Sequence, residues 1–411
     1  MSERAESEMV LDEIRAACAA VAEEATFVRI DAARIPAYAA TLAGAGRETP
    51  IFDPQYHFVG SEDDTAAFVL TLDAVNFGSG YFPLLRKRPG LPGYFTIALA
   101  LKERFEAHGP FDAATLRDLS ADDCRALFDQ PTAGGALDEL MDAFAVALNA
   151  LGAHLLARYA GRPARLIAAA GGSAARLTAL LAALPTFRDV ARYRGRRVPF
   201  YKRAQLVAAD LSLALGGAGL GAFDDLDRLT IFADNLVPHV LRVDGILDYD
   251  AGLLARIAAG ELLVAGSPEE VEIRAAAVHA AELLVAACRA QGATSITSSG
   301  IADWTRCTGS SRATAPARSP TDALLWPGAM PNIVGPLILV ARCPGAAVPR
   351  RVAATHEGHT VPLKGTLYPG GQPPPLKGIL YPGGQPLPAG WPAATQYPGG
   401  QPLPMKGILY P

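Results

Sequence analysis

Apolar residues recur every three or four positions through most of the first 290 residues. The clearest series is Leu137, Met141, Phe144, Leu148, Leu151 and Leu155, which places one apolar stripe along a long helix. Similar spacing predicts helices near residues 9–24, 95–107, 114–128, 174–184, 200–216, 249–259 and 269–290. The repeated pattern predicts a mainly α fold.

Signals for β-structure are few. The clearest lies at 190–200, where Gly195 predicts the turn of a short hairpin. Pro199 suits the first turn of a following helix, because its missing N–H is not needed there. Loops rich in glycine or proline are expected at 78–93 and 216–225, but nothing before residue 290 is typical of an interdomain linker. We therefore predict that residues 1–297 form a single domain.

Residues 298–411 differ in kind. The unit at Leu363–Pro375 returns at Leu376–Pro388, and fragments follow at 397–404 and 406–411. So much proline and glycine prevents a continuous helix or strand ladder. We expect a disordered, low-complexity tail that limited proteolysis would trim.

Charge and cysteine content narrow the function. The formal net charge is −4, with about +6 in the tail and so about −10 in the first 297 residues, which argues against broad binding of nucleic-acid backbone. Five scattered cysteines without a CxxC pair predict neither a disulfide framework nor a zinc site and suit a reducing cytosol. The charged N-terminus is unlike a signal peptide, and the longest uncharged run in the domain, Ala143–Ala157, is shorter than the ~20 residues of a membrane span. A soluble, cytoplasmic protein is expected.

Five short segments carry a family resemblance. They lie at 56–58 (YHF), 72–80 (LDAVNFGSG), 187–205 (FRD…YRG…VPFYKRAQ), 230–238 (TIFAD…P) and 270–274 (EVEIR). In this order and spacing the chain resembles the queuosine-salvage N-glycosylases from about residue 8 to 292. The resemblance implies a helical DNA-glycosylase-like fold and hydrolysis of queuosine 5′-phosphate to queuine and ribose 5-phosphate. It breaks off near Gln291, and a shift of reading frame between about 291 and 310 is our hypothesis for the change.

The resemblance places Asp234 at the reaction centre. Breaking an N-glycosidic bond passes through a ribosyl cation, which a nearby carboxylate stabilises. From the sequence alone, Asp234 could instead cap the helical segment that runs to Leu241. Phe232 resembles the family's base-stacking aromatic residue, and its alternative role is core packing.

Three further residues are candidates for contacts with the substrate. The resemblance implies that His57 contacts the base, although a structural histidine is an equal alternative. Asp73 and Asn76 precede two glycines that permit close approach of backbone to a ligand, a spacing that also suits a helix end with a glycine cap. Because queuine carries a secondary ammonium, Asp73 is a candidate partner for it, as is Asp303.

The segment after Pro199 is a candidate phosphate site. Cations beside a helix N-terminus attract phosphate, so we predict Lys202 as the phosphate ligand, assisted by Tyr201 or Arg203. The alternative is a solvated basic first turn. Glu270, Glu272 and Arg274 are expected to form surface or interhelical ion pairs.

No metal or cofactor is expected. The sequence has no HExxH or CxxC pattern and no aspartate-rich N-terminal cluster for calcium. The expected partner is a small-molecule substrate, without nucleic acid or membrane. Two rival functions stay open: a glycosylase that flips a base out of nucleic acid, and a helical scaffold whose proline-rich tail binds a partner.

Overall fold

The computed structural model describes residues 9–44, 52–132, 134–261, 263–293 and 296–300, and helices dominate them. The predicted mainly α class is confirmed, while the DNA-glycosylase-like fold stays a prediction. Three predictions concern residues that lie almost wholly outside the described ranges: the disordered tail, the role of Asp303 and the domain boundary near 297.

Thirteen α-helices are described in these ranges, in chain order. They are α1 Val10–Glu24, α2 Ile35–Gly44, α3 Glu62–Ala74, α4 Gly93–His108, α5 Ala113–Asp118, α6 Ala121–Leu127, α7 Ala136–Tyr159, α8 Pro163–Ala168, α9 Ala174–Ala182, α10 Lys202–Ala214, α11 Leu236–Val243, α12 Ala251–Ala258 and α13 Pro268–Ala290. Each predicted helical stretch contains a helix, but 114–128 contains two, because Ser120 begins a new helix with its own capping box.

Helix α3 was not predicted. Its residues Thr65–Ala74 are all buried, so it has no polar face to reveal a period of 3.6. Its start is nevertheless encoded locally, since the Ser61 side chain accepts a hydrogen bond from the backbone of Asp64 and three acids occupy the first turn. Burial on every side places the end of α3 deep inside the protein.

Two antiparallel ribbons complete the described part of the fold. Strands β2 (Val190–Tyr193) and β3 (Arg196–Pro199) form the predicted hairpin, and its turn residues Arg194 and Gly195 have φ of 47° and 80°. Two positive φ angles match the twist of the flanking strands. The placement of Pro199 in a helical turn is wrong: it ends β3 opposite Val190.

The second ribbon joins distant parts of the chain. Strand β1 (Val28–Ile30) pairs with β4 (Leu247–Tyr249), with Val28 opposite Tyr249. Strands of three residues carry too little alternation to be recognised in a sequence.

The helices pack in two groups, and α9 joins them because it packs against both α1 and α10. Helix α13 packs against α1, α2 and α11, whereas α3 packs against α7, α8 and α10. One described helix, α7, is long and apolar enough to cross a membrane by length and composition, and half of its most apolar stretch is buried inside the protein. The packing brings the end of α3, the start of α10 and the start of α11 toward one another.

Candidate functional site

Asp234 lies just before α11 and uses its two oxygens differently. Oδ1 accepts hydrogen bonds from the backbone N–H groups of Leu236 (2.9 Å) and Val237 (3.1 Å). Oδ2 lies 3.9 Å from Nζ of Lys202, and the Asp234 side chain is 14% exposed. The capping interpretation is therefore correct for one oxygen, and the other oxygen faces a cation.

Lys202 begins α10 and is buried, with a side chain that is 6% exposed. Its backbone N–H donates to Oδ2 of Asp189 (3.2 Å). Tyr201, just before it, adopts φ of 49°, and its hydroxyl accepts a hydrogen bond from Arg197. Burial raises the pKa of the Tyr201 phenol, while the charge of Arg197 lowers it. A solvated basic first turn is thus wrong for this segment.

Arg203 is held by backbone carbonyls. It donates to the carbonyl oxygens of Ala74 (2.6 Å) and Thr186, and its guanidinium lies over the rings of Phe77 (4.6 Å) and Phe187 (5.3 Å). These contacts join the end of α3 to the segment that precedes β2. Help from Arg203 in binding phosphate stays a prediction.

Asp73, near the end of α3, is fully buried. Oδ1 accepts a hydrogen bond from Asn76 (3.2 Å), and Oδ2 has no hydrogen-bond partner among the described residues. Burial raises the pKa of this carboxyl well above its ordinary value, and Asp210 raises it further, while Asn76, Lys202 and Arg203 lower it. A carboxylate at a helix C-terminus also opposes the helix dipole. The structure therefore favours the neutral acid at Asp73.

The loop after α3 reaches the Asp234 segment. The residue that caps the C-terminus of α3 is Val75, so the glycine-cap interpretation is wrong. Gly78, with φ of 80°, instead precedes the 3-10 helix Ser79–Leu84 as its N-cap residue. The hydroxyl of Ser79 donates to Oδ1 of Asn235 (3.4 Å). Two segments that are far apart in the sequence thereby meet.

His57 and Phe232 are both packed inside the protein. The ring nitrogens of His57 lie 3.0 Å from the Asp53 carbonyl and 3.0 Å from the Tyr94 hydroxyl, and its ring stacks on Phe52 at 4.3 Å. Burial lowers the pKa of His57. These contacts favour the structural alternative for His57. Phe232 is 1% exposed, in keeping with core packing, and its stacking on a base stays a prediction.

Residues not selected from the sequence support the site. Gln205 donates to the Thr230 hydroxyl (2.9 Å) and accepts from the Thr230 backbone N–H (2.9 Å), which ties α10 to the segment that leads to Asp234. Asp189, which belongs to the family segment at 187–205, contacts the start of α10, and the charge of Asp210 raises the pKa of Asp73. Nothing local distinguished Asp210 from an ordinary acid on a helix surface.

Glu270, Glu272 and Arg274, early in α13, are buried, which corrects the expected surface pairs. Arg274 pairs with Glu270 on the same helix (3.1 Å) and with Asp189 (2.5 Å). Burial raises the pKa of Glu270, opposed by Arg274. Glu272 accepts hydrogen bonds from the backbone N–H groups at 26–28 and from the Tyr193 hydroxyl (2.8 Å). Burial and this bond to Glu272 raise the pKa of Tyr193 to about 12.

A cavity of about 570 Å³ beside the β1–β4 ribbon is lined by other residues, among them Arg29, Arg34 and Arg242. Within the described ranges, no three His, Cys, Asp or Glu side chains lie together as a metal site requires.

Comparison with known proteins identifies relatives. The sequence profile of the family described as "Queuosine salvage protein" matches residues 56–315, so the resemblance continues past Gln291. A Sphaerobacter thermophilus protein named queuosine 5′-phosphate N-glycosylase/hydrolase is 41% identical over 277 residues, 66% of this chain and 84% of that protein. Proteins of the same name from Mus musculus (31% over 236 residues, 55% of this chain and 68% of that protein) and Dictyostelium discoideum (33% over 222 residues, 53% and 64%) are also similar.

Proposed function

The chain belongs to the queuosine salvage protein family, and we propose that it hydrolyses queuosine 5′-phosphate to queuine and ribose 5-phosphate. The observation that carries this proposal is the state of Asp234. One oxygen is held by two helix N–H groups, the other faces the Lys202 ammonium, and the side chain is largely withdrawn from water. A carboxylate fixed in this way suits the stabilisation of a developing cation.

The reaction breaks the bond between C1′ of the ribose and the ring nitrogen of the base. Both bonding electrons leave with the base, so positive charge develops on the ribose, and Asp234 would stabilise it by its charge or by covalent capture. Water then adds its oxygen to C1′, and a proton from that water balances the departing base. Because a 7-deazapurine has no N7 to protonate, stabilisation of the cation carries more of the catalysis.

Lys202 is the proposed phosphate ligand. Lys202 is the first residue of α10, and the helix dipole also favours an anion at that end of the helix. A single ammonium between Asp234 and a 5′-phosphate would attract both groups and so help to place the ribose over the carboxylate. Recognition of the phosphate by Lys202, with help from Tyr201 or Arg203, is part of the same proposal.

Asp73 and Asn76 are proposed to contact the cyclopentene-diol arm of the base. A neutral acid without a full set of hydrogen bonds is ready to ionise when a cation arrives beside it. The secondary ammonium of the substrate would supply that cation. Phe232 is the proposed contact to the rest of the base, whereas the contacts of both ring nitrogens of His57 favour a structural role for that residue.

We propose a free nucleotide as substrate, without nucleic acid or membrane as partner, in the cytoplasm. The acidic character of the first 297 residues supports a free nucleotide over a base in nucleic acid. The names of the relatives also favour this reading over the base-flipping and scaffold alternatives.

The test is product analysis. Purified protein is incubated with queuosine 5′-phosphate, and queuine and ribose 5-phosphate are quantified by mass spectrometry. We expect equal amounts of both products and a greatly reduced yield with Asp234→Asn. A folded protein that releases no queuine would refute the proposal, and cleavage only of queuosine within an oligonucleotide would favour the nucleic-acid alternative.

A further inference from the structure

Arg274, on α13, reaches the segment that carries Asp234. Its Nε donates to the carbonyl oxygen of Ala233 (3.0 Å), the residue that precedes Asp234. Its Nη1 and Nη2 donate to the two oxygens of Asp189 (3.0 and 2.5 Å), and the guanidinium lies over the ring of Phe200 at 3.9 Å. The guanidinium therefore has a fixed position and orientation.

Asp189 in turn organises the start of α10. Its backbone carbonyl accepts from the N–H groups of Phe200 (2.9 Å) and Tyr201 (3.3 Å), and its Oδ2 accepts from the N–H of Lys202 (3.2 Å). These bonds surround Tyr201, whose φ of 49° turns the chain from β3 into α10. The direction in which the Lys202 side chain leaves the backbone thus depends on Asp189.

We propose that the Arg274–Asp189 ion pair is a positioning unit that sets Asp234 against Lys202. One arm of the unit holds the backbone next to Asp234, and the other holds the backbone of Lys202. This inference rests on the proposed function, in which those two side chains act on the ribosyl cation and the phosphate. Neither Arg274 nor Asp189 touches the substrate in this scheme.

A geometric role accounts for a pair that stability alone explains poorly. Replacement of a buried ion pair by apolar residues of similar volume is often neutral or stabilising, because desolvation offsets the attraction. Arg274 is 4% exposed and also bonded to Glu270 (3.1 Å). Burial alone would lower the pKa of Arg274, but the charges of Asp189 and Glu270 outweigh it and raise that pKa. The guanidinium therefore stays charged and keeps all of its donors.

The first variant is Arg274→Lys. It keeps the charge beside Asp189 and Glu270 but loses the planar fork that reaches Ala233 and Asp189 together. Small misplacement of reacting groups costs on the order of 10²-fold in rate. We expect kcat to fall by about that factor with KM little changed, since the defect lies in the transition state. If Arg274→Lys does not fold, Asp189→Asn, which preserves shape but weakens the bidentate pair, replaces it.

The matched control is Glu272→Gln. Glu272 is a buried charge on the same helix, two residues from Arg274, but it holds the backbone at 26–28 and the Tyr193 hydroxyl. We expect a lower melting temperature with unchanged kcat. An equal fall in kcat for both variants would show a general effect of destabilising α13 and overturn the proposal.

The decisive measurement combines Arg274→Lys with Asp234→Asn. If Arg274 acts through Asp234, the second substitution should lower the remaining rate by much less than it does alone. A merely structural role would give multiplied losses, and that result would overturn the positioning unit while leaving the proposed function intact. An inactive wild type, or a fully active Asp234→Asn, would instead overturn the proposed function, and this inference with it.

Discussion

Nζ of Lys202 lies 3.9 Å from Oδ2 of Asp234, and both side chains are largely buried. Lys202 begins α10 and is held through its backbone N–H, whereas Asp234 lies just before α11 and is held through its Oδ1. Partial withdrawal from water strengthens the field of each charge on a group placed between or beside them. The pair therefore combines a site for a developing cation with a site for an anion.

Replacement of Asp234 by asparagine should separate charge from capping. Asparagine caps a helix nearly as well as aspartate, so we expect a normal melting temperature but a rate of queuine release at least ~10² lower. Affinity for queuine should change much less. Turnover and melting are measured on one preparation.

Asp250→Asn is the matched control for this prediction. Oδ1 of Asp250 accepts from the N–H groups two and three residues ahead (2.7 and 3.1 Å), as Oδ1 of Asp234 does, but it caps α12. The Asp250→Asn variant should keep full activity. An Asp234→Asn protein as active as Asp250→Asn would remove Asp234 from the mechanism.

Lys202→Ala should reduce activity on the nucleotide far more than activity on the nucleoside. Loss of a charge-assisted contact to the 5′-phosphate should lower kcat/KM for queuosine 5′-phosphate by a factor that corresponds to about 1.5–3 kcal/mol. Free queuosine, tested in parallel, should lose far less. Lys102→Ala, which removes a lysine paired with Glu106 on α4, should affect neither substrate. Equal losses on both substrates would place the action of Lys202 at Asp234 rather than at the phosphate.

Asp73→Asn should change how stability depends on pH. In the folded state the pKa of Asp73 is raised, chiefly by burial, so the folded protein holds a proton that the unfolded chain has lost. The contribution of Asp73 to the free energy of unfolding therefore has its full value below the unfolded-state pKa, which is near 4. As the pH rises from there to the folded-state pKa, this contribution falls by about 1.4 kcal/mol per pH unit. The stability of Asp73→Asn relative to wild type should therefore rise with pH across that window.

Denaturant unfolding of both proteins at several pH values measures this difference. Asp112→Asn is a control of opposite sign: a hydrogen bond from the Thr115 backbone is the main cause that lowers the pKa of Asp112, so its contribution is present at neutral pH and lost in acid. A difference between Asp73→Asn and wild type that is flat from pH 4 to 8 would show that Asp73 is ionised in the folded protein.

Gly78→Ala should destabilise the loop beside the site. Gly78 has φ of 80°, and a Cβ placed there would lie 2.5 Å from Cδ1 of Leu140, which is buried. We expect a loss of about 2–4 kcal/mol from strain and overpacking together. Gly90→Ala shares the positive φ (75°) but has no neighbour within 4 Å of a Cβ, so it should lose only the conformational part. Equal losses in chemical denaturation would mean that Leu140 moves aside.

Local pattern determined the helical class, most helices and the hairpin at Gly195, because periodicity and turn chemistry act over a few residues. The family segments, read from the sequence, selected Asp234, Lys202 and Asp73. The sequence did not reveal α3, whose buried residues lack a polar face, or the short β1–β4 pair.

Only the tertiary structure decided which polar residues are buried and what they contact. The charge of Lys202 acts on both Asp73 and Asp234, which are more than 150 residues apart in the chain. The buried pair of Arg274 with Asp189 joins helix α13 to the start of α10. The same packing gave Arg203 and His57 partners within the protein. Burial and partnership depend on contacts between distant segments, and these determine whether a charged side chain is solvated, paired or held ready for a substrate.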